Sequence, residues 1–132
     1  MCLFCKIINN EIPSYKIYDD DKFLAFLDIS QATTGHTLIV PKKHYANIFE
    51  LDDEVAQEIL LVVKKVSLLL KEKLGISDVN IINNSGKLAG QTVDHFHIHI
   101  VPRYPNDDLQ ILSVNHSPSN EELSALCNKI TK

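Results

Sequence analysis

No apolar run in this sequence approaches the roughly 20 residues that a helix needs to span a bilayer, so no membrane partner is expected. The N-terminus, MCLFCKIINNE, has neither a basic leader nor a cleavage pattern, and the chain reads as cytoplasmic. A basic surplus is also missing. The formal net charge is −4, the pI is near 5.8 and the lysines are scattered, which excludes a broad surface for nucleic acid and leaves room for a small anionic ligand. Cysteines number only three, and an odd count without a secretion signal points to reduced thiols or a metal and not to a disulfide scaffold. Repeats, low-complexity tracts and linker-like composition are absent. What is present is 132 residues at 45% hydrophobic content, enough for one core and too few for two, so 1–132 is expected to form a single domain.

Local punctuation divides the chain into elements. YKIYD (15–19) and FLAFLD (23–28) flank the polar DDK and predict a hairpin. HTLIVP (36–41) follows Gly35, stops at Pro41 and predicts a third strand. Between Val55 and Leu74 the apolar residues Val55, Ile59, Val62, Val63, Val66, Leu69 and Leu70 recur at three and four, the period of one helical face. Asp52 or Asp53 would cap that long helix and Gly75 would end it. DVNIIN (78–83) predicts a fourth strand, and the segment from His95 through Val101 a fifth, closed by Pro102. A short last helix is expected near 120–130, where Ser119 and Glu122 form a capping box and Leu123, Leu126 and Ile130 share a face with Cys127, a packing residue. Strands on both sides of one helix, without βαβ alternation, predict an α+β domain with an antiparallel sheet of about five strands.

Half of the six histidines fall in one stretch, HFHIHI (95–100). Successive strand side chains face opposite ways, so His95, His97 and His99 share one face while Phe96, Ile98 and Ile100 pack on the other. Strand positions favour β-branched and aromatic residues, which makes strict alternation of imidazoles a sign of a site: a metal centre, or a nucleophile with supporting donors. The preceding NNSGKLAGQTVD (83–94) is a small-residue loop. There Gly86 and Gly90 admit close backbone approach and Asn84, Ser85, Gln91 and Thr92 add neutral donors, as around a phosphate; no Walker lysine follows Gly90.

HFHIHIV, with AGQTV before it, FLDIS at 26–30 and GHTLIVPKKH at 35–44, resembles the histidine triad (HIT) family in its Hint-type branch, in order from Cys2 to about Tyr104. The resemblance implies a HIT-like fold and a homodimeric nucleotide hydrolase or transferase acting at the α-phosphate. It makes His97 the nucleophile, His99 a phosphate donor and His36 a residue behind the nucleophile. It also places Asn84, Gly90 and Thr92, with neighbouring Gln91, at the phosphate or leaving group, Asp28 at the ribose and Ile29 against the base. In several bacterial members of this branch a structural zinc is held by positions that are Cys2, Cys5, His44 and His95 here, and all four residues are present. Residues 105–132 depart from the family pattern and leave the substrate open. The resemblance favours a nucleoside 5′-phosphoramidate hydrolase releasing AMP or GMP and needing no metal for the chemistry. A dinucleoside polyphosphate hydrolase, a nucleotide-binding regulatory module and a catalytic metal site built by the triad are the alternatives.

Overall fold

The computed structural model describes residues 2–132. In chain order the elements are α1 (Leu3–Ile8), β1 (Lys16–Asp19), β2 (Phe23–Leu27), β3 (Thr37–Pro41), α2 (Asp53–Leu74), β4 (Asp78–Ile82), a 3₁₀ turn (Lys87–Ala89), β5 (Ile98–Arg103) and α3 (Asn120–Thr131). The strands form one sheet in the order β1-β2-β3-β5-β4, antiparallel at every pairing, as the α+β expectation required.

The hairpin closes because Asp20 Oδ1 accepts from the backbone N–H groups of Lys22 and Phe23 at 2.8 and 2.7 Å, satisfying the turn. Alternation along the central strands then sorts side chains to two layers. Phe23, Ala25, Ile39, Ile98 and Ile100 pack against the buried stripe of α2, made of Ile59, Val62, Val63, Val66 and Leu70. Leu24, Phe26, Leu38 and Val40 pack on the opposite face against Phe4 and Ile7 of α1. The long helix ends at Gly75, which takes the left-handed φ of 67° that other residues adopt with strain. No helix among the described residues is long and apolar enough to cross a membrane.

Four local expectations are corrected. The fifth strand begins at Ile98, its first partner of β3, and continues through Pro102 to Arg103; His95 and His97 lie in the approach to it. Pro102 is tolerated because it pairs with Val79 while its carbonyl accepts from the Thr33 hydroxyl. Asp52 has N-cap backbone geometry, but its carboxylate accepts from the Tyr45 hydroxyl at 2.8 Å and pairs with Lys43 instead of capping α2. The α1 helix was not anticipated, since six residues are too few for periodicity to register. The capping box of α3 forms as expected, yet Cys127 and the face it shares are exposed.

Candidate active site and metal centre

Two clusters of imidazoles flank the start of β5. In the first, Cys2 caps α1, its sulfur accepting from Cys5 N–H at 3.2 Å, which brings both thiols to the helix N-terminus. His44, after β3, and His95, before β5, bring their Nδ1 atoms to the same point. The sulfur-to-nitrogen distances are 3.4–3.6 Å and the two nitrogens are 3.1 Å apart. Zinc bonds of about 2.3 Å to sulfur and 2.0–2.1 Å to nitrogen give tetrahedral edges of about 3.6 and 3.3 Å, so the donor set fits a zinc ion. His95 Nε2 donates to the Pro41 carbonyl at 2.8 Å, leaving Nδ1 with its lone pair toward the thiols. Burial and the neighbouring Cys2 push the Cys5 thiol up to about 11, a cost that a cation at this point would reverse. Burial also lowers the pKa of His95.

The second cluster lies beside it. His97 Nδ1 donates to the His95 carbonyl at 2.7 Å, so the free lone pair is on Nε2. Its ring is buried and meets Phe4 edge-to-face, centroids 5.0 Å apart at 85°. Behind it, Ala32 N–H donates to His36 Nδ1 at 3.2 Å, which puts the His36 proton on Nε2. That Nε2–H donates to His99 Nδ1 at 2.9 Å and thereby leaves the His99 proton on its own Nε2. Burial lowers the pKa of His36 and His97, and burial with the neighbouring His97 and His36 pushes His99 down to about 4. All three rings are therefore neutral near pH 7. Asp28 Oδ2 lies 3.7 Å from His36 Nε2, and Asp28 Oδ1 accepts from Ser30 N–H at 2.8 Å.

A cleft of about 380 Å³ opens over His97 and His99, bounded by Asp28, Ile29 and Thr92 and walled by Leu3, Phe4 and Ile7 of α1. Ile29 projects from the rim, 89% exposed. Asn84, Gly90 and Gln91 stand outside this wall. The Gly90 backbone, at φ 92°, is close to the Asn84 amide, where a Cβ would lie 3.7 Å from Nδ2. Gln91 is engaged within the loop: its amide donates to the Ala46 and Val93 carbonyls and accepts from Gly86 N–H. The triad thus divides three ways: His95 to the thiols, His97 to the cleft, and His99 to His36 and Asp28. Asp28, His36 and His99 also form a three-donor group within 4.8 Å, but a metal at His36 Nε2 would displace the proton that Ala32 fixes there. Sequence reasoning missed the α1 wall, whose only signal was Leu3, Phe4 and Ile7 falling on one side of a turn that Cys2 caps.

Comparison with known proteins meets this geometry. The HIT domain family model matches residues 9–106. Adenosine 5′-monophosphoramidase hnt1 of Schizosaccharomyces pombe is 40% identical over 132 residues, covering 98% of this chain and 96% of the relative. The crystal structure of a HIT family member from Bacillus subtilis has a TM-score of 0.92 at 42% identity, covering 98% of this chain and 94% of that one. That score is out of reach unless residues 105–132 superpose along with the domain. A zinc-bound histidine triad family protein from Mycobacterium smegmatis has a TM-score of 0.77 at 35% identity, covering 97% and 96%. With the triad in place, the family model over most of the chain and these likenesses throughout, the chain belongs to the HIT domain family and is a HIT-family hydrolase.

Proposed function

We propose that this chain hydrolyses purine nucleoside 5′-phosphoramidates at the α-phosphate, through a nucleotidyl intermediate on His97, and releases AMP or GMP. The observation that carries this is the 2.7 Å bond from His97 Nδ1 to the His95 carbonyl. It sets the tautomer with a bare Nε2, the nucleophile that in-line attack on phosphorus requires. The step forms Nε2–P and breaks the P–N bond, the amine leaving as it takes a proton; attack by water then breaks Nε2–P and returns His97. His99, donor at Nε2–H, hydrogen-bonds a phosphoryl oxygen, and His36 holds that donor in place by its own Nε2–H. Asp28 accepts from ribose hydroxyls, Ile29 covers the base, and the loop residues Asn84, Gly90 and Thr92 surround the leaving-group side, with Gln91 shaping the loop.

Cys2, Cys5, His44 and His95 would hold a structural zinc, which when bound cross-links α1 to the sheet and takes no part in the chemistry. The monophosphoramidase activity for which the fission-yeast relative is named and the zinc in the mycobacterial one support these assignments. The domain is a single HIT unit, with its core at about 2–104 and its tail at 105–132, acting in the cytoplasm as a homodimer. The unpaired outer edge of β4, where the exposed Leu68 of α2 lines a hollow with Val79, is the surface that a second copy would cover.

The test is hydrolysis of adenosine 5′-phosphoramidate and diadenosine tetraphosphate, side by side, by the wild type and by His97→Ala. Faster phosphoramidate turnover that vanishes in the variant is expected. Faster tetraphosphate cleavage would move the reading to a dinucleoside polyphosphate hydrolase, and turnover surviving in the variant would remove His97 as nucleophile.

A further inference from the structure

The loop between β2 and β3 carries Asp28 at one end and His36 at the other. The Asp28 N–H donates to the His36 carbonyl at 3.0 Å, which adds one rung to the antiparallel ladder, and residues 29–35 loop out beyond it. Their far end is anchored to the body of the domain. The Thr33 hydroxyl donates to the Pro102 carbonyl and the Tyr104 hydroxyl to the Thr34 carbonyl, while Gly35, at φ 94°, packs where a Cβ would lie 3.2 Å from the Pro102 ring.

The near end is closed by Gln31, whose amide turns back across the loop. Its Nε2 donates to the Asp28 carbonyl and, at 2.7 Å, to the His36 carbonyl, and its Oε1 accepts from the Gly35 N–H at 2.7 Å. Gln31 is exposed, so water would serve this amide equally well. A long polar side chain loses rotamer freedom when it is held in this way, and the consequence of its bonds lies in the backbone they fix. That backbone carries the Asp28 carboxylate. Gln31 pins the Asp28 carbonyl and the Ser30 N–H pins Oδ1 at 2.8 Å, which leaves Oδ2 beside the cleft, 3.7 Å from His36 Nε2.

We propose that Gln31 is a positioning residue for nucleotide recognition: by bridging the backbone of Asp28, Gly35 and His36 it holds the Asp28 carboxylate where the ribose hydroxyls arrive. His36, fixed by its place before β3 and by its bond to His99, is the anchor, and Asp28 is what the anchor steadies. The amide acts as a rung that the backbone of the loop does not supply, because it donates to two carbonyls and accepts from one N–H at the same time. This deepens the reading of Asp28 as the ribose acceptor and rests on it.

The experiment measures binding of AMP and of 2′,3′-dideoxy-AMP, which lacks both ribose hydroxyls, by titration calorimetry on the full chain, and so does not depend on turnover. Two variants are compared with the wild type. Gln31→Met keeps the length of the side chain and loses all three bonds; Gln31→Glu keeps an acceptor for the Gly35 N–H and turns a carboxylate oxygen toward the two carbonyls. Wild type is expected to bind AMP at least about tenfold more tightly than the dideoxy nucleotide, the scale of hydrogen bonds to a carboxylate. In both variants that ratio is expected to fall below about threefold, with affinity for the dideoxy nucleotide within about twofold of wild type and the thermal midpoint within about 5 °C. Added to Asp28→Asn, the Gln31 change is expected to leave the ratio where it is, since both act through one carboxylate. A ratio kept at the wild-type value in the variants, or a loss of affinity that falls equally on both nucleotides, overturns the positioning role. Wild type binding both nucleotides alike removes Asp28 as the ribose acceptor and the proposal with it. Failure of the underlying reading therefore shows in the wild type, and failure of the proposal alone shows only in the variants.

Discussion

His95 and His97 are neighbours on one side of one segment, yet they are held as opposite tautomers. His95 gives its Nε2–H to the Pro41 carbonyl and turns a bare Nδ1 to two thiols; His97 gives its Nδ1–H to the His95 carbonyl and turns a bare Nε2 to the cleft. In the function proposed above, one serves as a metal ligand and the other as the nucleophile because of which ring nitrogen meets a carbonyl. The difference teaches that imidazole chemistry in this protein is assigned by backbone acceptors, and that the two sites share a wall: Phe4, on the helix that Cys2 caps, packs against both rings.

The sharpest way to break the comparison is to change each imidazole in turn. His97→Gln should lower phosphoramidate turnover at least about a thousandfold, whereas His95→Cys, which keeps a zinc ligand and the backbone carbonyl, should retain metal and stay within about tenfold of wild type. Steady-state kinetics with metal analysis checks both. Next in size is removal of the metal. Chelation, or Cys5→Ser, should lower the thermal midpoint by roughly 10 °C or more, followed by calorimetry, because α1 loses its tie to His44 and His95.

A smaller effect separates the clusters by pH. The folded-state value of His99, about 4, lies below its ordinary value of 6.5. The unfolded chain therefore binds more protons between these values, so stability present above pH 6.5 should be lost as pH falls toward 4. In His99→Asn this decline should be shallower, as read by urea unfolding at fixed pH. Smallest is the shared wall: Phe4→Leu, which stays apolar but loses the edge-to-face ring, should reduce kcat about three- to tenfold. A fall in kcat with little change in KM marks an effect on His97, while a rise in KM alone would make Phe4 merely a wall of the cleft.

Much of this was legible in the sequence. The 3.6-residue period fixed α2, the Gly75 stop and the Ser119–Glu122 box held, and the strand runs expected at 15–19, 23–28, 36–41 and 78–83 formed within a residue at each end, because each signal is local. Alternation put His97 and His99 opposite Ile98 and Ile100. Where the reading fell short, long-range partners had decided. Asp52 was drawn to Tyr45 and Lys43, β5 was delimited by where β3 and β4 pair with it, and Cys127 was left uncovered by its own domain.

By itself, then, the sequence determined the α+β class, the family and the residue types of both sites, since periodicity, capping and motif spacing act within a few residues of chain. Only the tertiary structure decided which ring nitrogen of each histidine carries the proton. The Cys2 to His95 contact joins residues 93 apart, and the tautomers of His36, His95, His97 and His99 hang on carbonyls, amides and rings that the fold brings beside them. A hydrogen bond is satisfied by whatever lies within about 3 Å, and linear spacing does not encode that neighbour.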